Sequence, residues 1–313
     1  MTAILLDGVS AHYGAVKSLD DVSFAVEQGG RVGLVGESGS GKSTLCRLLV
    51  GLRLPSGGEL SVFDRPVADH LRTDARQFRR NVQLIMQDAV ASLSPRMRIR
   101  SLLQEVITIH SLPADETWRW IETLTARLGL PNSVFERYPH EISGGQARRL
   151  AIVRALALKP RIVVADEPTA GLDVSVQGGL LNLLIEIQRE LSLTYLMISH
   201  DLRVIRRVTG RMLVMYLGQI VEDGETEALF RKPAHPYSAA LLSTNAAHAP
   251  GKAGQPIILH GEIPSAINPP PGCRFHTRCP VAQTRCKTDP PSLRRLPDNR
   301  SVRCHFPYSL SFA

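Results

Sequence analysis

Eight residues, Gly36-Glu37-Ser38-Gly39-Ser40-Gly41-Lys42-Ser43, fit the spacing G-x-x-x-x-G-K-[ST]. Glycines let backbone N–H groups approach a phosphate closely, and a helix starting behind them adds its positive end, so the run predicts an anion cradle. Lys42 has the reach to meet β- and γ-phosphates, and the Ser43 hydroxyl is suited to ligate Mg²⁺. A second group, Asp166-Glu167, closes the apolar run Ile162–Ala165. A carboxylate at such a strand end, in the sheet that carries the loop, belongs beside that Mg²⁺, and Glu167 is the candidate for polarising an attacking water. Without the loop, the pair reads as a polar strand end. A third group, Ser143-Gly144-Gly145-Gln146 ahead of ARRLAIVRALAL, reads alone as a turn opening a helix; beside the other two it is a second anion-binding helix start.

These groups need elements to place them. VGLVG (32–36), RIVVAD (161–166) and LTYLMIS (193–199) are short apolar runs, the pattern of strands buried on both faces. A helical pattern covers about 175–191 between the last two, and Lys42–Leu52 predicts a helix after the glycine loop. Such alternation predicts a parallel sheet covered by helices. Residues 98–160 show helical periodicity without a convincing strand and predict a helical insertion. Eleven of the 21 prolines follow residue 248, so a globular body gives way there to a loop-rich C-terminal module.

Composition narrows the function classes. The 313 residues are 43% hydrophobic and 21% charged, with mean hydropathy −0.03, which excludes wholesale disorder. No run approaches the roughly 18 apolar residues of a membrane span, and MTAILLDGVSAHYGAV lacks the positive start of a signal peptide. A soluble cytosolic protein that forms no pore alone is therefore expected. The formal net charge is +8, and residues 273–313 hold eight Lys/Arg against two Asp, a net of +6. A solvated basic face is the expected meaning, ahead of nucleic acid or lipid headgroups. Cys273, Cys279, Cys286 and Cys304 lie in the same tail, and in a reducing cytosol such a cluster points toward metal rather than disulfides.

Together the motifs resemble the nucleotide-binding subunits of ABC transporters, in that family's order. GESGSGKST (36–44), which adds Thr44, matches Walker A, and Gln87 in LIMQDA matches the Q-loop. ISGGQ (142–146) matches the signature, IVVADE (162–167) Walker B, AGLD (170–173) the D-loop, and His200 in ISHD the switch histidine. Tyr13 in HYG sits where the family stacks an aromatic ring on adenine. The resemblance covers about residues 3–245, with Ile142 for the usual Leu and AGLD for the commoner SALD. It implies an α/β fold of the P-loop NTPase (ABC) type, with a mixed sheet, an antiparallel β edge, a helical subdomain at about 88–160 and a small Cys/Pro-rich C-terminal extension. It also implies an ATPase using ATP and Mg²⁺. Glu167, His200 and Gln87 would be catalytic, with Ser43 and Gln87 at the Mg²⁺. Tyr13, residues 36–44 and Asp166 would bind ATP, and Ser143, Gly144, Gly145 and Gln146 would meet the ATP of a second subunit.

A narrower resemblance, to the oligopeptide/dipeptide/nickel importer group, rests on QDAVASLSPRM (87–97), HPYSAALL (235–242) and GCRFHTRCP…C…CHFP (272–307), with Ala89 where that group usually has Pro. It implies an ABC nucleotide-binding domain over 1–245 and an importer-type extension over 246–313. The importer would carry peptides or a related small solute such as a nickel chelate. Its other parts would be a second ATPase subunit, identical or homologous, two permeases and an extracytoplasmic solute-binding protein, with no nucleic acid. The chain would then be peripheral on the cytoplasmic face of the membrane. The alternative is a soluble ABC ATPase acting on ribosomes or DNA, against which stand the single ATPase unit and the extension. For the spacing C-x5-C-x6-C-x17-C, three readings stand: a 4Fe–4S cluster, which the family favours, with Arg274, Arg278, Arg285, Lys287 and Arg303 compensating its charge; a small core of reduced thiols; and zinc, disfavoured because tight C-x2–4-C pairs are missing.

Overall fold

The computed structural model describes residues 1–171, 173–246 and 256–310; Leu172 of the AGLD motif and residues 247–255 at the start of the extension lie outside them. In chain order the strands are β1 (Thr2–Tyr13), β2 (Val16–Glu27), β3 (Arg31–Val35), β4 (Gly57–Val62), β5 (Arg65–Pro66) and β6 (Val82–Ile85). Then come β7 (Ile162–Asp166), β8 (Thr194–Ile198), β9 (Arg211–Tyr216), β10 (Gln219–Glu225), β11 (Arg294–Arg295) and β12 (Ser301–Val302). The helices are α1 (Lys42–Leu49), α2 (Val67–Asn81), α3 (Ile99–Ile109), α4 (Ala114–Arg127) and α5 (Gly144–Leu156). They continue with α6 (Val174–Glu190), α7 (Leu202–Val208), α8 (Thr226–Arg231), α9 (Pro236–Ala246) and α10 (Thr284–Thr288).

The main sheet runs β11-β12-β10-β9-β3-β8-β7-β6, with β6 through β9 parallel through β3 and the three strands on the other edge antiparallel. Side chains alternate across it with the period of a strand. Ile162, Val164, Leu196, Ile198, Leu213 and Met215 enter one core, shared with α1 and the second, antiparallel sheet β2-β1-β4-β5. Val163, Ala165, Tyr195, Met197, Met212 and Val214 enter the other, shared with the helices. Both faces are therefore dry, which is why these strands read as unbroken apolar runs. Gly33 in β3 makes room for α7: a Cβ there would meet Ile205 Cγ2 at 2.6 Å.

Register is what aims the site. Leu34 lies beside Ile198, Ile198 beside Asp166, and Ala165 beside Ile85. Parallel strands aligned this way end at one edge, so the chain leaves β3 into the glycine loop, β7 into Glu167, β8 into Ser199-His200 and β6 toward Gln87 within one neighbourhood. The insertion is helical, as its periodicity predicts. Ile121, Leu124 and Leu128, then Leu150 and Val153, face one core with Val134 and Phe135 from a short 3₁₀ turn at Asn132–Glu136.

The extension is sewn into this body. β12 pairs with β10 through Glu222↔Val302, adding an edge to the main sheet. The basic tail, expected as a solvated face, is instead partly buried: Arg274, Arg300 and Arg303 are 8%, 4% and 6% exposed. Arg274 pairs with Asp20 and donates to the Leu217 carbonyl, while Arg303 donates to the Asp21 carboxylate at 2.9 Å. Arg300 lies 3.6 Å from the fully buried carboxylate of Glu222, which also accepts the N–H groups of Ala234 and His235 at 2.8 and 2.9 Å. Burial raises the pKa of Glu222, and those N–H groups and Arg300 oppose it. Arg300→Met should therefore destabilise the chain by about 3 kcal/mol, the usual loss when one member of a buried charge network is removed. Urea unfolding of the full chain measures it, and an unchanged midpoint would remove Arg300 as an anchor.

Candidate functional site

The shared strand edge opens into a cleft of about 480 Å³ lined by Gly36, Ser38, Gly39, Gly41, Lys42, Ser43, Thr44, Gln87, Asp166, Glu167, His200 and Ser18. Every one of these but Ser18 is a residue that the sequence motifs single out. Ser18 comes from β2, and its hydroxyl lies 2.6 Å from that of Thr44. No motif marks it, because its place depends on how the second sheet packs.

The loop bends where a side chain has no room. A Cβ on Gly36 would meet the Met215 carbonyl oxygen at 2.2 Å, and one on Gly41, at φ 112°, would meet that of Ser18 at 2.6 Å. Lys42 folds back over the loop and donates to the Gly36 and Glu37 carbonyls at 2.8 and 2.7 Å and to Ser40 Oγ at 3.2 Å. Burial lowers the Lys42 pKa, against the pull of Asp166 and Glu167. Asp166 shifts upward, through burial and then the neighbouring Glu167, while Lys42 and a hydrogen bond from Ser43 restrain it. Ser43 and Asp166 thus meet at the cleft as a hydroxyl and a carboxylate, hard oxygen donors that fit Mg²⁺.

Glu167 is held at both oxygens. Gln87 Nε2 donates to Oε2 at 3.0 Å, and His200 Nδ1 stands 2.9 Å from Oε1. Since a carboxylate oxygen accepts, Nδ1 carries the hydrogen, and in the neutral ring Nε2 is left as an acceptor. The backbone of Glu167 has φ 51°, in the left-handed region, and its N–H donates to the Ile198 carbonyl at 2.9 Å. A non-glycine residue there costs about 1 kcal/mol or more, which the β7–β8 pairing and the two side-chain partners offset. The arrangement can hold a carboxylate as a fixed acceptor at the mouth of an anion cradle, which is what deprotonating a water requires.

Other motif residues fall elsewhere. Tyr13 ends β1 and is not on the cleft wall; the Arg53 guanidinium lies 3.7 Å over one face of its ring. Glu37 turns away, toward Arg278. Ser143 caps α5: its Oγ accepts the Gln146 N–H at 3.2 Å and its N–H donates to Gln146 Oε1 at 3.1 Å, the reciprocal box that the S-x-x-Q spacing allows. Gly144 has open space where a Cβ would stand, and residues 143–146 are absent from the cleft. Arg148, one turn on, donates to the Gln87 carbonyl at 3.1 Å and ties the two segments together. Only its position in the helical pattern hinted at it.

The cysteines converge without forming a ready metal centre. All four tail thiols are free and line one cavity with His276 and His305, but its room, about 10 Å³, is that of a single water. Burial pushes Cys304 up to about 12, Cys279 up to about 11 and Cys273 upward, so these thiols are neutral. Among the described residues no group of three or more His, Cys, Asp or Glu is placed to hold a metal ion. Of the five basic residues expected to compensate a cluster, the four arginines are engaged elsewhere: Arg274, Arg278, Arg303 and Arg285 pair with Asp20, Glu37, Asp21 and Asp289.

Known proteins match this chain along most of its length. A family model described as ABC transporter matches residues 19–170, and one described as Oligopeptide/dipeptide transporter, C-terminal region, matches residues 221–286. The chain is 43% identical to the probable peptide ABC transporter ATP-binding protein y4tS of Sinorhizobium fredii, over 93% of this chain and 82% of that protein. It is 43% identical to the oligopeptide transport ATP-binding protein AppF of Bacillus subtilis, over 93% and 90%. Among solved structures, cbiO1 from Clostridium perfringens superposes with TM-score 0.66 at 25% identity, over 74% of this chain and 91% of that one. The dimeric MJ0796 cassette bound to ADP and Pi gives 0.65 at 25%, over 71% and 98%.

Lys42→Ala removes the cation from the cradle together with its three loop contacts. Mg-ATP affinity of the full chain should fall at least about tenfold, the size of one charge-assisted hydrogen bond. Equal affinity in a titration would deny Lys42 that contact.

Proposed function

The chain belongs to the ATP-binding subunits of ABC transporters, in the oligopeptide/dipeptide importer family, and from that premise we propose that it powers uptake of peptides or a related small solute through partner permeases. It is an ATP-hydrolysing protein. The observation that carries the mechanism is the double hold on Glu167 by Gln87 and His200 at the mouth of the phosphate loop. In the proposed turnover Lys42 and the loop N–H groups bind the phosphates, and Ser43 and Gln87, with Asp166 behind them, would hold Mg²⁺. Glu167 takes a proton from the attacking water, and His200 keeps the carboxylate aimed. Adenine stacks on the face of Tyr13 that Arg53 leaves open.

Two such subunits close head to tail, so that Ser143–Gln146 of each completes the other's ATP site. Support comes from the exposed start of α5 and the open space at Gly144, in residues that do not line their own cleft. Met86 and Val90, beside Gln87, are 48% and 46% exposed, an apolar flank suited to a permease surface. No helix among the described residues is long and apolar enough to cross a membrane, which accords with a subunit held at the cytoplasmic face by its permeases. A solute-binding protein outside the membrane completes the assembly.

Glu167→Gln keeps the shape and loses the basic oxygen. In the assembled transporter its turnover should fall about 100-fold or more while ATP binding is retained; hydrolysis near the parental rate would reject Glu167 as the base.

The finer reading of the tail is a 4Fe–4S cluster on Cys273, Cys279, Cys286 and Cys304. Four thiols converging on one cavity, in the donor set such a cluster takes, support it. The small room and the upward shift of Cys273, Cys279 and Cys304 weigh against it, since ligation requires thiols to spread and ionise. Anaerobic purification with iron and sulfide assays should find about four of each per chain. A colourless, iron-free and folded protein would leave a thiol core.

A further inference from the structure

Glu37 stands within the phosphate loop yet is aimed out of the cleft. Its carboxylate accepts from both terminal nitrogens of Arg278, Nη1 to Oε2 at 2.6 Å and Nη2 to Oε1 at 3.1 Å, across 241 residues of chain. Its backbone N–H donates to the Tyr237 hydroxyl at 2.9 Å. Its carbonyl accepts from Lys42 Nζ at 2.7 Å. One loop residue is thus gripped by the C-terminal region at two points and grips the phosphate-binding lysine at the third.

The grip is built, not incidental. The Arg278 side chain is 8% exposed, and its N–H donates to the Phe275 carbonyl at 3.0 Å. The Phe275 ring stands edge-on to Tyr216 at 5.2 Å and lies 5.4 Å from Tyr237, so one aromatic cluster fixes both partners of Glu37. Arg278 Nε is buried without a hydrogen-bond partner, the cost of keeping both Nη groups on the carboxylate. A carboxylate free in this loop would repel the polyanion the loop receives; a bidentate guanidinium cancels its charge and holds it outward.

We propose that Arg278, with Tyr237, is a positioning residue for ATP: the C-terminal region sets the phosphate loop through Glu37. The proposal rests on residues 36–44 being the ATP loop.

Titration of the full chain with Mg-ATP, alongside its melting temperature, is the test. Arg278→Met is expected to weaken ATP about tenfold or more, and Arg278→Lys to recover part of that loss. In a Glu37→Ala background, where no carboxylate remains to be held, Arg278→Met should add little further loss. Arg303→Met is the structural control: it cuts the tail's bond to Asp21, touches no part of the loop, and should lower the melting temperature with ATP affinity unchanged. Parental affinity in both Arg278 variants, or an equal loss in Arg303→Met, overturns the proposal. A parental chain that binds no ATP overturns it at its premise, a result distinct from parental binding with indifferent Arg278 variants.

Discussion

Four parallel strands paired in register decide where chemistry can happen in this protein. Leu34, Ile198 and Asp166 share one row of the sheet, and Ala165–Ile85 lies in the row just before it. The chain emerging from that edge brings the glycine loop, Asp166, Glu167 and both partners of Glu167 into one cleft. A slip of one residue in β7 would turn Val163 and Ala165 toward the wrong core and swing Glu167 away from His200 and Gln87. The dry faces of the sheet penalise that slip, so the same burial that stabilises the body also aligns the site.

On this rigid edge the site stores strain locally. Glu167 sits at a positive φ, its oxygens divided between two side chains that leave from different strands. Neither contact alone is strong enough to define the carboxylate's position, but together with the backbone bond to Ile198 they leave it one orientation. Gln87 is the looser partner, since it lies on an exposed segment that Arg148 of the signature helix also holds. Glu167, the proposed base, is therefore joined to the helical subdomain as well as to the sheet, through Gln87.

Much of this was legible in the sequence, for a local reason. The loop Gly36–Thr44, Asp166-Glu167 and His200 each lie at the end of an apolar run short enough to read as a buried strand, so motif and element identify each other. The start of α5 was legible too, as a turn ahead of an unbroken helical pattern, although its capping box appears only in the structure. What could not be read depends on contacts distant in the chain. Ser18 reaches the cleft through the packing of a second sheet, and Arg53 covers Tyr13 through a loop. The tail arginines read as a solvated face or as counter-charges for a cluster because nothing in their neighbourhood names Asp20, Asp21 or Glu37 as their partners. The cysteine cluster was suggested by its spacing in the tail and by the family, whereas the smallness of the cavity it lines and the raised pKa values of Cys273, Cys279 and Cys304 follow from packing.

The joining of the tail to the body also has a temporal side. Every ATP motif lies before residue 202, but Arg278 follows Glu37 by 241 residues and Arg303 follows Asp21 by 282. At ribosomal speeds of about 5–20 residues per second, the loop waits roughly 10–50 seconds after its own synthesis before Arg278 exists. During that interval the nascent chain carries a complete set of nucleotide motifs around an unheld loop. A translation product that stops short of Arg278 would remain in that condition.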